Sequence, residues 1–414
     1  MGAVSDRGEA VSLMEPLLVS EGSPHRGPLT DQALDLAERA AILRARLPPG
    51  VELALAALVR SMNCYYSNLI EGHYTHPVAI EQALAGEYSA DSRQRDLQLE
   101  AKAHIAVQQW IDDGGLERRA TSPEGLCELH QRFCEHLPSE LLWVDEPESG
   151  RRLPVIPGAL REQDVRVGRH IPISPGAIGR FLERFHTVYS SGGRTDRLLG
   201  AACAHHRLLW IHPFLDGNGR VARLMSHAVL VEHLNTGGIW SVARGLARNE
   251  SEYKQRLAAC DEPRRGERDG RGQLSEAALA EFVEFFLRIC IDQVTFLERL
   301  MEPQQFRERL LRWAEDEVQA GVLPPQSGRL LEAVLYRGEL ARGEVPALLD
   351  LSERQARRVT SALVGEGVIR SPSSRSPLRL ALPATLAPRL MPGLFPPAAG
   401  AAGPDSFAVA QRWQ

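Results

Sequence analysis

Apolar side chains recur every three to four residues through most of this chain, a spacing typical of helices that bury one face. Between Thr30 and Gly72 the pattern is interrupted once, at Pro48-Pro49-Gly50, so it predicts two successive helices, the second over residues 51–70. The same spacing predicts further helices over residues 95–111, 122–137, 175–189, 197–211, 219–234, 249–260 and 275–313. The predicted fold class is therefore mainly α.

Residues 151–174 depart from the helical spacing. Val155-Ile156 and Val165-Arg166-Val167-Gly168 favour two short strands, with a loop that begins at Pro157-Gly158. This segment predicts a β-hairpin within an otherwise helical region.

The region after Leu323-Pro324-Pro325, a sequence typical of a linker, has a pattern of its own. Three short helical patterns precede two strand-like segments separated by a Ser/Pro turn, and this order over residues 326–383 resembles a winged helix-turn-helix. The chain ends, 1–28 and 384–414, are interrupted by Gly and Pro, and we expect both to be disordered.

Composition sets limits on the class of protein. A length of 414 residues favours more than one domain, and we find neither a run of eighteen apolar residues nor a signal peptide. We therefore expect no membrane segment and, because six cysteines are scattered along the chain, a reducing cytoplasm. The net charge of −5 argues against nucleic-acid binding by the whole chain but leaves a single domain open. Cys127, His130 and Cys134 would lack a fourth metal ligand, so we expect them to pack in a core.

The most informative segment is the run HPFLDGNGRVAR at residues 212–223, between two predicted helices. Its histidine, His212, can accept a proton near neutral pH. Its carboxylate, Asp216, offers the oxygen ligands that Mg²⁺ prefers. The run therefore combines a base with a cation ligand.

The second half of the run is suited to phosphate. Gly217 and Gly219 allow the backbone to approach a diphosphate closely, where a helix begins and its N–H groups point outward. Arg220 and Arg223 add planar donor groups for phosphate oxygens. This combination indicates phosphoryl or nucleotidyl transfer.

The run resembles, position for position, the signature of the Fic family, H-x-F-x-(D/E)-G-N-G-R-x-x-R. The resemblance implies a Fic-type helical bundle with a β-hairpin flap and transfer of AMP from ATP to a Ser, Thr or Tyr hydroxyl of a target protein, and of the chain itself. It makes His212 the general base and Asp216 the Mg²⁺ ligand. The residues that it assigns to the phosphate pocket are Gly217, Asn218, Gly219, Arg220 and Arg223.

Two other segments extend the resemblance. The predicted hairpin is similar to the family's flap, which pairs with a target segment as an added strand, and the residues that it would place beside ATP are Val167, Gly168, Arg169 and His170. Tyr253 stands where family members have an aromatic residue near adenine, although a helical tyrosine also serves packing. Ser67, Glu71 and Gly72 resemble the inhibitory motif (S/T)-x-x-x-E-(G/N), in which the glutamate pairs with Arg223 and occupies the place of the γ-phosphate.

The resemblance divides the chain into a helical region with the inhibitory helix at 29–112, a catalytic domain at 113–300, a connecting helix and linker at 301–325, and the winged helix at 326–383. One alternative is AMP removal, with Glu71 positioning a water. Another is a nucleotide-sensing regulator that binds DNA. Arg354, Arg357 and Arg358 begin the predicted recognition helix, which would contact DNA or a protein partner. The target, the modified residue and a homodimeric state stay open.

Overall fold

The computed structural model describes residues 4–48, 50–145 and 150–396. The chain divides into two compact units, the first formed by Met1–Ala45 and Val59–Glu298 and the second by Arg46–Leu58 and Arg299–Gln414. Helices dominate both units, so the prediction of a mainly α fold with little β-structure is confirmed. Within the described residues no helix is both long and apolar enough to cross a membrane.

Eleven of the described helices lie wholly or mainly in the first unit. They are α1 (Arg26–Arg46), α2 (Val51–Ile70), α3 (Pro77–Leu84), α4 (Ser92–Asp112), α5 (Pro123–Cys134), α6 (Ile178–Tyr189), α7 (Arg194–Ile211), α8 (Asn218–Leu234), α9 (Ala243–Arg248), α10 (Glu250–Ala259) and α11 (Glu276–Leu300). Short 3₁₀ helices occupy Val11–Met14, Ser139–Leu141 and Pro175–Ala177. The periodicity had not predicted α3 or α9.

The helices α7 and α8 form the centre of the first unit. Most of their residues are buried, and the run Ala201-Ala202-Cys203-Ala204 gives α7 a stretch of small side chains. Small side chains allow helix axes to approach closely. The helix α6 packs on α7, while α4 and α5 pack on α8. The loop at residues 212–217 therefore emerges from the most tightly enclosed helix pair of this unit.

The predicted hairpin is wrong in its position. The strands β1 (Trp143–Asp145) and β2 (Arg152–Pro154) pair antiparallel, with Trp143 opposite Pro154. The residues predicted as strands at 155–156 and 165–168 lie in loops, apart from a single bridge between Val167 and His170. The β-branched residues in the loop misled the prediction, because strand propensity depends on an available partner strand.

The long helix predicted over residues 275–313 is two helices. The helix α11 ends at Leu300 and α12 begins at Pro303. Proline lacks an N–H group and disfavours a helical residue before it, so it suits the first turn of a new helix. The side chain of Glu302 caps that turn by accepting a hydrogen bond from the backbone N–H of Gln305.

The N-terminal segment also differs from its prediction of disorder. Met14 and Leu17 are buried, and the hydroxyl of Tyr189 donates a 2.6 Å hydrogen bond to the carbonyl oxygen of Leu17. Arg180 forms an ion pair with Asp6 at 2.6 Å. A few well-placed apolar residues anchor this segment, which an averaged composition does not reveal.

The second unit holds the remaining elements. Its helices are α12 (Pro303–Gln319), α13 (Ser327–Arg337), α14 (Val345–Leu349), α15 (Glu353–Gly365) and α16 (Ala387–Leu390), with a 3₁₀ turn at Arg342–Glu344. The strands β3 (Glu339–Leu340), β4 (Ile369–Arg370) and β5 (Leu378–Leu380) form an antiparallel sheet in the order β3-β5-β4. The order of these elements agrees with the predicted one, and their assignment as a winged helix stays a prediction.

Two features of the second unit bear on the predictions. Ser352 and Gln355 form a reciprocal capping box at the start of α15, where an N-cap serine was predicted. The tail predicted to be disordered from residue 384 instead continues into α16, where Leu390 is buried, as is Leu394 beyond it. Residues 397–414 lie outside the described part of the chain.

Candidate active site

The loop between α7 and α8 is shaped by its own side chains. His212 ends α7 in the left-handed conformation, with φ of 51°, and Gly217 turns the chain into α8 with φ of 80°. The Asn218 side chain accepts from the Phe214 N–H at 3.0 Å and donates to the Phe214 carbonyl at 2.8 Å. The buried Phe214 ring stacks on His130 with centroids 4.1 Å apart. Asn218 thus closes the loop, and its place in a phosphate pocket stays a prediction.

The candidate base, His212, is enclosed. Burial, followed by the positive charge of Arg161, lowers its pKa to about 4, against the opposing effect of a hydrogen bond with the Leu209 backbone. An imidazole with such a pKa is neutral at physiological pH. It is therefore able to accept a proton.

Asp216 differs from its neighbours because it is exposed at the outer end of the loop. Among the described residues no group of three or more His, Cys, Asp or Glu side chains is arranged to hold a metal ion. A single exposed carboxylate fits Mg²⁺, which commonly binds one or two protein carboxylates together with substrate phosphates and water. The residues present are thus compatible with an ion held jointly by Asp216 and a nucleotide.

The N-terminus of α8 lies beside the carboxylate of Glu71. A Cβ atom placed on Gly219 would lie 2.6 Å from Glu71 Oε1 and 3.2 Å from Arg223 Nη1. Arg223 forms an ion pair with Glu71, and its Nε donates to the Ser67 hydroxyl at 2.8 Å. Burial raises the pKa of Glu71, but Arg223 and Arg220 lower it by more, so the net shift is downward. An anionic group therefore already lies at the N-terminal end of α8.

The other arginine of the run has a different carboxylate partner, which the sequence analysis missed. Arg220 is buried and pairs with Glu100, a residue of α4. His73 Nδ1 lies 2.7 Å from Glu100 Oε2 and 3.1 Å from Arg220 Nη2. The hydrogen bond to Glu100 raises the pKa of His73, with desolvation and Arg220 acting in the opposite direction. The cluster Glu100–His73–Arg220 ties α4 and the chain after α2 to α8.

Tyr253 does not face open space as an adenine contact would. It is buried, and its hydroxyl lies 2.7 Å from His205 Nε2, while His205 Nδ1 lies 2.9 Å from the Ser226 hydroxyl. Burial raises the pKa of Tyr253 to about 12, against the nearby charge of Arg223. The alternative that this tyrosine serves packing agrees better with its surroundings.

The flap is reduced to a tight turn. Val167 and His170 exchange two backbone hydrogen bonds of 3.0 Å around Gly168, whose φ is 58°, and Arg169 is exposed. His170 Nε2 lies 2.7 Å from the carbonyl oxygen of Trp210, near the end of α7. The turn is thus tethered close to the loop that carries His212.

Two further residues were not assigned to the site from sequence. Arg161 is buried and donates to the carbonyl oxygen of His212 at 2.7 Å. His130 accepts from the Gly158 N–H at 2.9 Å and packs beside Gly217, and burial lowers its pKa to about 4. Two sequence signals could have pointed to these residues. Arg161 lies in the predicted flap, and His130 lies between Cys127 and Cys134. Arg354, Arg357 and Arg358 lie exposed on α15 of the second unit.

Part of this chain is similar to known proteins. The family model of the Fic/DOC family matches residues 120–230, which include the loop and most of α8. A protein named protein adenylyltransferase Fic from Drosophila grimshawi is 27% identical over 169 residues, which is 40% of this chain and 32% of the relative. The protein of the same name from Drosophila willistoni is 28% identical over 171 residues, 40% of this chain and 31% of the relative. The matched segment thus spans about a third of these relatives.

The overall fold has a relative among solved structures. The crystal structure of a Fic family protein from Desulfovibrio desulfuricans G20 covers 88% of this chain and 98% of its own, with a TM-score of 0.51 and 18% identity. At that identity the likeness shows the fold alone. The match at residues 120–230 identifies that segment as a Fic domain, and the likeness to the solved structure agrees with a Fic-type fold.

Proposed function

We propose that this protein transfers AMP from ATP to a hydroxyl group of a protein target. The observation that carries the proposal is the position of the Glu71 carboxylate, which lies at the N-terminus of α8 beside Gly219 and Arg223. A helix N-terminus with an arginine and close backbone suits a phosphate. The neutral His212 and the exposed Asp216 lie on the loop that leads into this helix end. The relatives named protein adenylyltransferase support the same activity.

The transfer is a substitution at the α-phosphorus of ATP. The target hydroxyl oxygen forms a bond to this phosphorus while the bond to the bridging oxygen breaks, and pyrophosphate leaves. His212 takes the hydroxyl proton, a role that its unprotonated state allows. The N–H groups at Gly217 and Gly219, with Arg223, hold the phosphates. Mg²⁺, held by Asp216 and the nucleotide, would offset the charge of the phosphates.

The geometry also supports a restraint by Glu71. Its carboxylate and a γ-phosphate would compete for Arg223, because both are anions that need the same guanidinium. The alternative direction, removal of AMP from a modified target, would use the same carboxylate to position a water. The two readings differ in what loss of Glu71 does to labelling of a target.

The test uses ATP labelled at the α-phosphorus, with Mg²⁺, and follows label on the protein itself and on added cell proteins. We expect weak labelling by the wild type, strong labelling by Glu71→Gly, and a loss of about 10²–10⁴-fold when His212→Ala is added. Asp216→Ala should lose the Mg²⁺-dependent labelling, because the ion would lose its protein carboxylate. Absence of labelling in Glu71→Gly, or full labelling without His212 in a folded protein, would refute the proposal.

We infer a second function, contact with duplex DNA, for the second unit. Arg354, Arg357 and Arg358 are exposed near the start of α15, and Arg375 is exposed in the turn between β4 and β5. Residues 327–380 carry nine arginines against six acidic residues. The whole chain, and a variant with the three helix arginines changed to alanine, should be titrated with labelled duplex at low and high salt. Binding that the variant loses and salt weakens supports DNA contact. Absence of binding at low salt would favour a protein partner.

A further inference from the structure

We propose that Arg161 is a positioning residue that holds the base His212 and the flap turn in fixed relation to each other. The inference rests on the proposed AMP transfer and names a residue on which that transfer depends. Arg161 does not need to touch either substrate. It acts through the backbone of the residues that do.

The first observation is the set of acceptors around the guanidinium. Arg161 is only 3% exposed, and its Nε donates to the carbonyl oxygen of His212 at 2.7 Å. Its Nη1 donates to the carbonyl oxygen of Gln163 at 2.8 Å and its Nη2 to that of Ile173 at 2.6 Å. The backbone N–H of Arg161 donates to the carbonyl oxygen of Pro213 at 2.9 Å. Arg161 therefore donates hydrogen bonds to two successive carbonyl groups of the loop, those of His212 and Pro213. It also donates to two carbonyl groups of the flap segment, those of Gln163 and Ile173.

The second observation is the conformation that these bonds support. His212 has φ of 51° and ψ of 62°, a left-handed conformation that side chains with a Cβ atom rarely adopt. Such a conformation persists when the surroundings impose it, and it is found preferentially at active sites. Arg161 hydrogen-bonds to the carbonyl groups on both peptide units that follow the His212 Cα atom. Its loss would free the backbone that aims the imidazole.

The third observation is that the two flap acceptors bracket the turn. Gln163 precedes and Ile173 follows the Val167–His170 turn, so a single guanidinium joins the two ends of the flap segment. The guanidinium donates to the three acceptors from three separate nitrogens, Nε, Nη1 and Nη2. The three N–H bonds of a lysine ammonium start from one nitrogen, so lysine keeps the charge but does not reproduce this spread of donors. The target hydroxyl would be presented between this turn and His212, so their relative position affects the reaction directly.

The charge of Arg161 provides a readout that packing alone would not change. Burial lowers the pKa of Arg161 to about 10, so the guanidinium remains charged at neutral pH. The charges of Asp164 and Glu9 raise the pKa of Arg161, and the charge of Arg7 lowers it. The titratable side chains that lower the pKa of His212 include Arg161 and His170. Removing the charge of Arg161 should therefore raise the pKa of His212 from its value of about 4.

The experiment compares Arg161→Gln and Arg161→Lys in the Glu71→Gly background, where labelling is strong enough to measure. For Arg161→Gln we expect kcat to fall about 10²-fold, as for a misplaced reacting group, with the Kd for ATP nearly unchanged. The acid limb of kcat/KM should move to higher pH. For Arg161→Lys, which keeps the charge but not the planar donors, kcat should fall while the acid limb stays in place.

Arg207→Gln is the matched control. Arg207 is also buried, and its guanidinium donates to the carbonyl oxygen of Pro16 at 2.8 and 3.1 Å. Its other hydrogen-bond partners among the described residues are His206 and the carbonyl oxygen of Cys260, which lie outside the loop and the flap. Arg207→Gln should lower the melting temperature without moving the acid limb of kcat/KM. If folded Arg161→Gln shows the kcat and acid limb of its parent, the proposal is wrong. If Arg161→Gln does not fold, an Arg161→Lys protein with the parent's kcat overturns it. Failure of the Glu71→Gly parent to label would instead count against the proposed function.

Discussion

Two carboxylates reach the arginines of α8 from segments that are constrained very differently. Glu100 lies within α4, and only 6% of its side chain and 8% of that of Arg220 are exposed. Glu71 follows the last residue of α2, and 33% of its side chain is exposed although Arg223 is almost fully buried. The two pairs have the same chemistry and lie within one turn of each other on α8. They differ in how easily the carboxylate can leave.

The difference suggests that one pair is part of the scaffold and the other a switch. Moving Glu100 would require α4 to shift and would leave two charges in a low-dielectric interior. Moving Glu71 requires only the end of α2 to change, where the chain turns at Gly72 with φ of 80°. Solvent or a phosphate could then take its place beside Arg223.

The largest expected effect is on stability. Glu100→Gln should lower the free energy of unfolding by about 3–5 kcal/mol, because Arg220 is left buried without its carboxylate. Urea denaturation measures the change. Glu71→Gln is the matched control. It should lower the free energy of unfolding by less, because water can reach the position of the Glu71 carboxylate. Equal losses in the two variants would contradict the contrast.

A second prediction concerns activity. Glu71→Gly should raise labelling about 5–150-fold, the range of a coupling worth about 1–3 kcal/mol, because ATP no longer competes with a carboxylate for Arg223. Labelling rates at fixed ATP and Mg²⁺ measure the gain. Adding Arg223→Ala should remove it, since the released partner is then absent. A flat or falling rate in Glu71→Gly would favour AMP removal as the role of Glu71.

A third prediction uses pH, because His104 is buried near both arginines. Burial, then Arg223 and Arg220, lowers its pKa from 6.5 to about 3. Below pH 6.5 the unfolded chain binds a proton that the folded chain excludes, so stability should fall as pH drops towards 3. This histidine alone should contribute about 1.4 kcal/mol per pH unit in that window. Denaturation between pH 7 and 5 should show a smaller slope for His104→Phe. An unchanged slope would mean that the protonation of His104 does not differ between the folded and the unfolded chain in this pH range.

The smallest effect is expected at Ser67. Its hydroxyl accepts a 2.8 Å hydrogen bond from Arg223 Nε and so helps hold the arginine near Glu71. Ser67→Ala should weaken the restraint by about 0.5–1.5 kcal/mol and raise labelling roughly 2–10-fold, less than loss of Glu71. Ser61→Ala, also buried and on the same helix, is the control and should change labelling little. A larger gain from Ser67→Ala than from Glu71→Gly would show that the hydroxyl is the main restraint.

Local signals predicted much of the secondary structure. Apolar spacing and the Pro48-Pro49-Gly50 break placed α2 at the residues where it occurs, and Ser122 and Ser352 cap the helices that they were expected to cap. These features depend on neighbours within one or two turns. The errors arose where local signals conflict with packing. Helical spacing continues across Pro303, and residues 165–168 have strand propensity without a partner strand.

The amino-acid sequence by itself determined which side chains the loop brings together, because His212, Asp216, Gly217 and Gly219 lie within one short run, residues 212–219. Only the tertiary structure decided which groups pair with them. Glu100 lies 120 residues from Arg220 and Arg161 lies 51 residues from His212. Such contacts depend on how helices pack, which no local periodicity encodes. For the same reason the sequence could not show that Asn218 closes the loop or that the hydroxyl of Tyr253 is hydrogen-bonded to the buried His205.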